Sequence, residues 1–171
     1  MSGERGLARD TAALASSFAM FLRWLFAALH LLALGIGLGA IWGRRLALLG
    51  TLDDKGLRRL FHEDTWWGVA AGLWIVTGLV RAFGGLEKGS FYYIHNPLFL
   101  AKMVCLVAIL ALEIRPMVTL IRWRVLVAKG AQPMTSSART LADISTIQAV
   151  LIVVMVLLAT AMARGIGFRA L

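Results

Sequence analysis

Four long apolar runs, separated by short segments that hold most of the charged residues, dominate the pattern along the chain. The runs cover residues 17–42, 64–83, 97–121 and 144–163. Each reaches the length of about 20 residues that an α-helix needs to cross a bilayer. The pattern predicts an all-α, polytopic membrane protein, with a four-transmembrane-helix bundle over residues 17–167. Residues 1–16 are predicted to form a polar N-terminal tail, and residues 168–171 a C-terminal tail.

Cap residues indicate where some of these helices begin and end. Asn96 is a favoured N-cap residue and Pro97 suits the first helical position, so the third helix is expected to begin there. It is expected to continue past Pro116. Asp64 is expected to cap the second helix, and Gly165 to mark the end of the fourth.

Glycines recur every four residues in the first two spans. Gly35, Gly39 and Gly43 lie on the first, and Gly68 and Gly72 on the second. Small residues at this spacing let transmembrane helices approach closely. The pattern predicts tight packing within the bundle rather than a dedicated seam between copies of the chain.

The distribution of charge along the chain indicates where the protein lies in the cell and how it is oriented in the membrane. The 171 residues are 60% hydrophobic with a formal net charge of +9. Because the basic residues lie in short segments between apolar runs, they are typical of membrane loops, and nucleic acid is excluded as a partner. Nine basic residues follow the first and third spans: Arg44, Arg45, Lys55, Arg58, Arg59, Arg122, Arg124, Lys129 and Arg139. Seven lie on the opposite side, which predicts that both termini are outside: Arg5, Arg9, Arg23, Arg81, Lys88, Arg164 and Arg169.

Two ionisable residues fall well inside the spans. His30 lies about 9 Å into the first helix, counted from Trp24, and Lys102 about 7.5 Å into the third, counted from Pro97. Both helices run in the same direction, so the two side chains are expected at matched depth. An ionisable group inside a membrane is costly unless it is paired or solvated, which makes both residues functional candidates.

Glu113 is the third ionisable residue inside a span. It lies eleven positions after Lys102, about 16 Å along the helix, so the two cannot pair. We expect Glu113 to be structural and to be neutralised by Arg115 or by a basic loop residue.

The His30 and Lys102 pair suggests a haem site. Neutral imidazole binds haem iron well, and burial favours the neutral amine that a lysine ligand needs. The sequence therefore predicts haem b between the first and third helices, with the iron held by His30 and Lys102. Covalent c-type attachment is not expected, because Cys105 is the only cysteine. The other predicted site residues are Gly37, which would give the macrocycle room, and three arginines for the propionates: Arg23, Arg81 and Arg164.

Alternatives to the haem site remain open. His30 could instead be a hydrogen-bonded packing residue, the arginines could extend to the membrane interface, and His95 could replace one of the ligands. Two functions therefore stand beside each other: a redox haem protein, acting in electron transfer or a porphyrinogen-type oxidation, and a non-enzymatic accessory or structural subunit. The expected partners are the lipid bilayer and, for the second function, other membrane subunits of a larger complex.

Several short motifs resemble a known bacterial family. They are His30 in a glycine-rich first span, Lys88-Gly89, Tyr92-Tyr93, Asn96-Pro97-Leu98-Phe99 with Lys102, and Met162-Ala163-Arg164-Gly165. Over about residues 24–167 the chain resembles the predicted membrane proteins of the domain of unknown function 2214, a bacterial family. In a bacterial inner membrane, the topology predicted from the basic residues would place both termini in the periplasm. More distantly, His30 and Lys102 resemble the HemJ-type protoporphyrinogen oxidases, which implies a haem b site and porphyrinogen oxidation.

Overall fold

The computed structural model describes residues 2–84 and 96–166, with side chains from residue 14 onwards. Within these ranges the chain forms four helices and no strand. They are α1 (Ser2–Leu49), α2 (Asp54–Phe83), α3 (Pro97–Ala128) and α4 (Ala138–Ala163). All four are long and apolar enough to cross a membrane. This confirms the prediction of an all-α bundle with four spans.

The start of α2 differs from its prediction. Asp64 is not the N-cap, because α2 begins ten residues earlier, where Asp53 Oδ1 accepts a hydrogen bond from Gly56 N at 2.7 Å. A Cβ at Gly56 would collide with the carbonyl oxygen of Thr51, so only glycine fits this tight entry. The helix start was missed because the first ten residues of α2 are too polar to belong to an apolar run.

Other ends also differ: α1 begins at Ser2 and runs seven residues past its predicted end, α3 runs seven residues past its own, and α4 begins six residues early. The start of α3 and the ends of α3 and α4 carry clear local signals. Asn96 Oδ1 accepts from Leu98 N at 2.9 Å, Pro97 occupies the first position of α3, and the helix continues through Pro116. Both α3 and α4 end at a glycine with positive φ, Gly130 at 74° and Gly165 at 79°. Backbone N–H groups then bond back to the last turn in the Schellman pattern.

The helices are arranged around the bundle in the order α2, α1, α4, α3. The pairs α1–α2, α1–α4 and α3–α4 pack closely, whereas α2 and α3 hardly touch. Two buried apolar clusters fill the interior. The first cluster surrounds Ile41, Trp74 and Ile152 and extends towards the end of the bundle that contains His30. We name this end the His30 end. The second, around Leu60 and Leu120, lies beyond Arg44, at what we name the Arg44 end.

The outer surface of the bundle is apolar. Large hydrophobic side chains are more than half exposed on every helix, for example Leu31, Val76, Val104 and Leu157. Exposed apolar surface of this extent is typical of contact with lipid chains rather than with water. The chain is a multi-pass membrane protein that contacts the bilayer through this surface.

The prediction of close packing at the repeated glycines is correct only at Gly43. An added Cβ there would lie 2.5 Å from Glu63 Oε2. On α1 the residue that faces α2 is Gly37, and positions two residues away point about 200° around the helix. The other four glycines of the two repeats consequently have no atom within 4 Å of an added Cβ: Gly35, Gly39, Gly68 and Gly72.

Candidate functional site

A cavity of about 460 Å³ lies inside the His30 end of the bundle. All four helices contribute to its lining, which we name the His30 cavity. The described lining is mainly apolar, and its polar members are His30, Arg81, Lys102 and Thr160. The cavity therefore combines the apolar walls of a cofactor site with a few polar groups that could orient a ligand.

The hydrogen bonding of His30 determines which ring nitrogen carries the proton. His30 Nδ1 lies 2.9 Å from the hydroxyl oxygen of Thr77, a buried residue of α2. That hydroxyl donates its own proton to the carbonyl oxygen of Leu73 at 2.7 Å. With that proton committed to Leu73, we assign Thr77 Oγ1 as the acceptor of His30 Nδ1–H, which leaves the lone pair of a neutral ring on Nε2.

Packing fixes the orientation of the same ring. The His30 ring stacks on Trp74 with centroids 5.8 Å apart. On the α2 side, Gly78 leaves so little room that an added Cβ would lie 3.1 Å from His30 Cε1. The imidazole is therefore held in place by two neighbours in addition to its hydrogen bond to Thr77.

Three of the six predicted site residues line the His30 cavity together. They are His30 from α1, Arg81 from α2 and Lys102 from α3, all partly buried. The helices that carry His30 and Lys102 lie on opposite sides of the bundle, so the cavity is the space between them. His95, the alternative ligand, lies outside the described residues.

The other three predicted site residues lie elsewhere. Arg23 and Arg164 are exposed and are not among the lining residues. Gly37 is buried, but an added Cβ would contact Ala70 at 3.4 Å and Trp67 at 3.5 Å. The space beside Gly37 is thus filled by α2 rather than by the cavity.

Sequence reasoning missed four residues of this site. Thr77 positions His30, and Met103, Met155 and Met162 line the cavity with thioether sulfurs. Thr77 could have been found as an isolated hydroxyl in the apolar run of the second span. The methionines gave no signal, because methionine is an ordinary filler of apolar cores.

A second polar centre lies nearer the Arg44 end, and its central residue is Arg44. The Arg44 side chain is fully buried. Its two terminal nitrogens donate to the two carboxylate oxygens of Glu113 at 2.7 and 2.9 Å, and Nη1 also donates to Asp64 Oδ1 at 3.1 Å. A paired, two-point contact of this kind is the strongest arrangement that an arginine and a carboxylate make.

Residues of α4 complete this cluster. Arg44 Nη2 donates to Gln148 Oε1 at 2.8 Å, and Arg44 Nε donates to Ser145 Oγ at 3.2 Å. Gln148 Nε2 in turn donates to Glu113 Oε2 at 2.8 Å and to the carbonyl oxygen of Ile109 at 3.1 Å. All four helices therefore meet in one hydrogen-bonded layer, which we name the Arg44 network.

Arg124 extends the network towards the end of the bundle. Its Nη2 donates to Asp64 Oδ2 at 2.8 Å, to the Phe61 carbonyl oxygen at 2.7 Å and to Thr65 Oγ1 at 3.1 Å. Asp64 thus lies between two arginines. Two carboxylates and two guanidinium groups balance in charge within this cluster.

The Arg44 network lies near the end of the membrane span, because Arg44 follows Trp24 by 20 positions, about 30 Å along α1. At its level, Ile114 on α3 and Ile147 on α4 point outwards and are 59% and 50% exposed. Glu113 is neutralised by Arg44, a basic residue of the segment after the first predicted span. One of the two alternatives expected from the sequence is therefore confirmed. Arg115, the other, is exposed and makes no ion pair among the described residues. Arg44 was counted with the loop charges because the apolar run ends at Trp42.

Two separated polar centres therefore lie within one apolar bundle. Arg44 follows His30 by 14 positions, about 21 Å along α1. Within the described residues, no group of three or more His, Cys, Asp or Glu side chains could hold a metal ion. A ligand or metal ion in the His30 cavity would therefore be bound by individual side chains from different helices rather than by a cluster of His, Cys, Asp or Glu residues.

These features define a class of protein: a multi-pass, four-helix membrane protein with a cavity near one end and a buried ion-pair layer near the other. The chain belongs to the family described as predicted membrane protein (DUF2214), whose model matches residues 22–167. No curated protein and no solved structure matches it.

Proposed function

We propose that the His30 cavity binds haem b and that the protein has a redox role in the membrane. One observation carries this proposal: His30, which is hydrogen-bonded to Thr77, and Lys102 line the same apolar cavity. A histidine that ligates a metal through one nitrogen commonly donates its other N–H to a neighbouring oxygen, which sets the tautomer and the ring orientation.

The cavity residues suit this cofactor in size and chemistry. A volume of about 460 Å³ falls within the range of cofactor pockets. His30 Nε2 would bind the iron, and Lys102 is the proposed second ligand. A methionine sulfur is also a haem ligand, so Met155 and Met162 compete with Lys102 for this role. Arg81 is the one lining arginine that would hold a propionate.

The proposed redox role depends on the haem, and the protein provides the environment of the haem. Haem iron would supply one-electron transfer, and its ligands and the apolar walls would set its potential. The protein's own part is to orient His30 through Thr77 and to exclude water. Electron transfer is one form of the proposal. A porphyrinogen-type oxidation, as in the HemJ-type oxidases that the His30 and Lys102 pair resembles, is the enzymatic form, and the proposed location is the bacterial inner membrane.

An absorption spectrum of the protein purified in mild detergent tests the proposal. We expect a Soret band in the wild type and its loss in His30→Ala. His62→Ala is the matched control, because His62 is exposed near the Arg44 end and should leave the band unchanged. A colourless wild type after expression with added haem precursor would refute the proposal, as would an unchanged band in a folded His30→Ala variant.

A second candidate function is a non-enzymatic subunit of a larger membrane complex. It is favoured by the open glycine faces of α1 and α2, where a Cβ added at Gly35, Gly39 or Gly72 would meet no atom within 4 Å. Faces of small residues are common where transmembrane helices associate. A colourless chain that co-purifies with another membrane protein, and loses it in Gly35→Leu, would support this function instead.

A further inference from the structure

The side of the bundle between α2 and α3 is open. Each other pair of neighbouring helices packs closely, but the backbones of these two stay apart, and the hydrogen bonds described between them come from Arg124. A crevice of about 420 Å³ separates them, and only residues of α2 and α3 line it. Because both helices also face outwards, the crevice can be reached from the lipid without crossing the aqueous phase.

The crevice is apolar along most of its length. The lining runs along α2 from Asp64 to Ile75, about 16 Å, which is close to one leaflet, half of the hydrocarbon thickness of about 30 Å. A helix segment of that length would occupy roughly 1,250 Å³, so the crevice is too narrow for a helix of a partner protein. A single hydrocarbon chain, which is much thinner than a helix, is the occupant that we infer from this volume and from the apolar lining. Its apolar wall is formed by Trp67, Gly68, Ala71, Trp74, Ile75, Leu106, Ile109, Leu110, Met117 and Ile121.

The end of the crevice nearer Arg44 is polar, and Arg124 is the group there with bonding capacity to spare. Its three hydrogen bonds to α2 all come from Nη2. Among the described residues, its Nε and Nη1 groups make no hydrogen bond. The carboxylates that line this end are already matched, Glu113 by Arg44 and Asp64 by Arg44 and Arg124. A guanidinium edge of this kind is suited to a phosphate group.

We propose that the crevice binds an anionic phospholipid, with its phosphate at Arg124 and one acyl chain between α2 and α3. The surrounding charge favours an anionic headgroup over a zwitterionic one. Exposed basic residues surround this end of the bundle, and such clusters attract anionic lipids. They are Arg58, Arg59, Arg115, Arg122, Lys129 and Arg139.

The bound chain also forms part of the His30 cavity. Trp74, Ile75 and Leu106 line both the crevice and the cavity, so the tip of the chain reaches the wall between them. The lipid therefore adds an apolar contact between α2 and α3 where their backbones stay apart. This site stands independently of the proposed haem, because none of its argument uses the cofactor.

Native mass spectrometry of the full chain in mild detergent tests the site. Phosphatidylglycerol and phosphatidylcholine with the same acyl chains are titrated separately, with inorganic phosphate as a third arm. We expect phosphatidylglycerol to bind about fivefold more tightly than phosphatidylcholine, the effect of one arginine near a membrane surface. Equal affinity for the two lipids would overturn the proposal, and so would displacement of phosphatidylglycerol by millimolar inorganic phosphate.

Paired variants separate the chain site from the phosphate site. Ala71→Leu fills the crevice and should abolish the tight binding, whereas Ala111→Leu, exposed on α3 outside the crevice, should leave it unchanged. Arg124→Gln should remove most of the preference for phosphatidylglycerol, while Arg122→Gln, which removes one charge of the surrounding cluster, should lower it much less. An equal effect of the two alanine variants, or of the two arginine variants, would contradict the assignment.

Discussion

Arg44 and Glu113 form a two-point ion pair inside the bundle, with N–O distances of 2.7 and 2.9 Å. The two residues come from α1 and α3, which lie on opposite sides of the helix arrangement. Their pair therefore connects helices whose backbones do not pack directly. Asp64 and Gln148 add α2 and α4 to the same contact.

Removing the charge of Glu113 should destabilise the bundle. Breaking a buried ion pair at one partner costs about 3–5 kcal/mol, and Glu113→Gln should fall near the lower limit because Asp64 still faces Arg44. The free energy of unfolding in detergent measures this. Arg45→Gln is the control: Arg45 is only partly buried, it contacts Thr146 and the Trp42 ring, and its loss should cost about 1 kcal/mol or less. Equal losses in the two variants would contradict a special role for the network.

The same variant should leave the His30 cavity functional. Glu113 belongs to a network about 21 Å from His30 along α1, and no residue of that network lines the cavity. If haem is bound, Glu113→Gln should keep its absorption spectrum as long as the chain is folded. Loss of the spectrum in a folded variant would mean that the two centres are coupled.

Thr77→Val tests the orientation of His30. Valine keeps the shape of threonine but removes the oxygen that accepts from His30 Nδ1. If His30 ligates haem, we expect haem affinity to fall about 10–100-fold, as for other partners of metal-bound histidines. Thr160→Val is the control, because Thr160 lines the same cavity but bonds only to the carbonyl oxygen of Leu157. A haem affinity that falls equally in both variants would rule out a specific role for Thr77.

Gly78→Ala tests how tightly α2 approaches the His30 ring. An added methyl group would lie 3.1 Å from His30 Cε1, so the ring must move by a few tenths of an ångström. Gly72→Ala meets no atom within 4 Å and should gain about 0.5–1 kcal/mol from helix propensity alone. We expect Gly78→Ala to lack this gain, with unfolding in detergent as the measurement. A gain of equal size at both positions would show that the contact is loose.

The orientation in the membrane can be tested by cysteine labelling in a Cys105→Ala background. With both termini outside, Ser136→Cys in the α3–α4 segment should resist a membrane-impermeant maleimide in intact cells, and Ile166→Cys should react. The charge bias behind this topology is smaller than a simple count suggests. Arg44 is fully buried and Arg124 is paired with Asp64, so neither acts as a loop charge. The opposite labelling pattern would reverse the topology.

Hydropathy was enough to predict that there are four spans. Cap residues were enough to predict the start of α3 and the end of α4. The starts at Asn96 and Pro97 and the end at Gly165 depend on neighbours within one helical turn, so local sequence determines them. The Arg44 network could not be predicted in the same way. Arg44 lies two residues beyond an apolar run, and only the packing of α3 and α4 determines whether it faces water or the interior.

The placement of the helices around the bundle was also beyond the sequence patterns. A hydrophobic run shows that a helix crosses the membrane but not which neighbours it packs against. Gly35 and Gly39 carry the spacing of a packing face, yet both point away from the other described helices. His30 and Lys102 were expected at matched depth because depth depends only on position along parallel helices. Both residues line one cavity.

The Arg44 network has a consequence for the order in which the protein assembles. An arginine buried inside the bundle needs partners for its charge, and α1 is made before the helices that supply them. Asp64 follows Arg44 by 20 residues, so a hairpin of α1 and α2 brings the first counter-charge with it. Glu113 follows by 69 residues with α3, and Gln148 by 104 with α4. The order of the helices along the chain is thus the order in which Arg44 acquires the partners that let it remain buried.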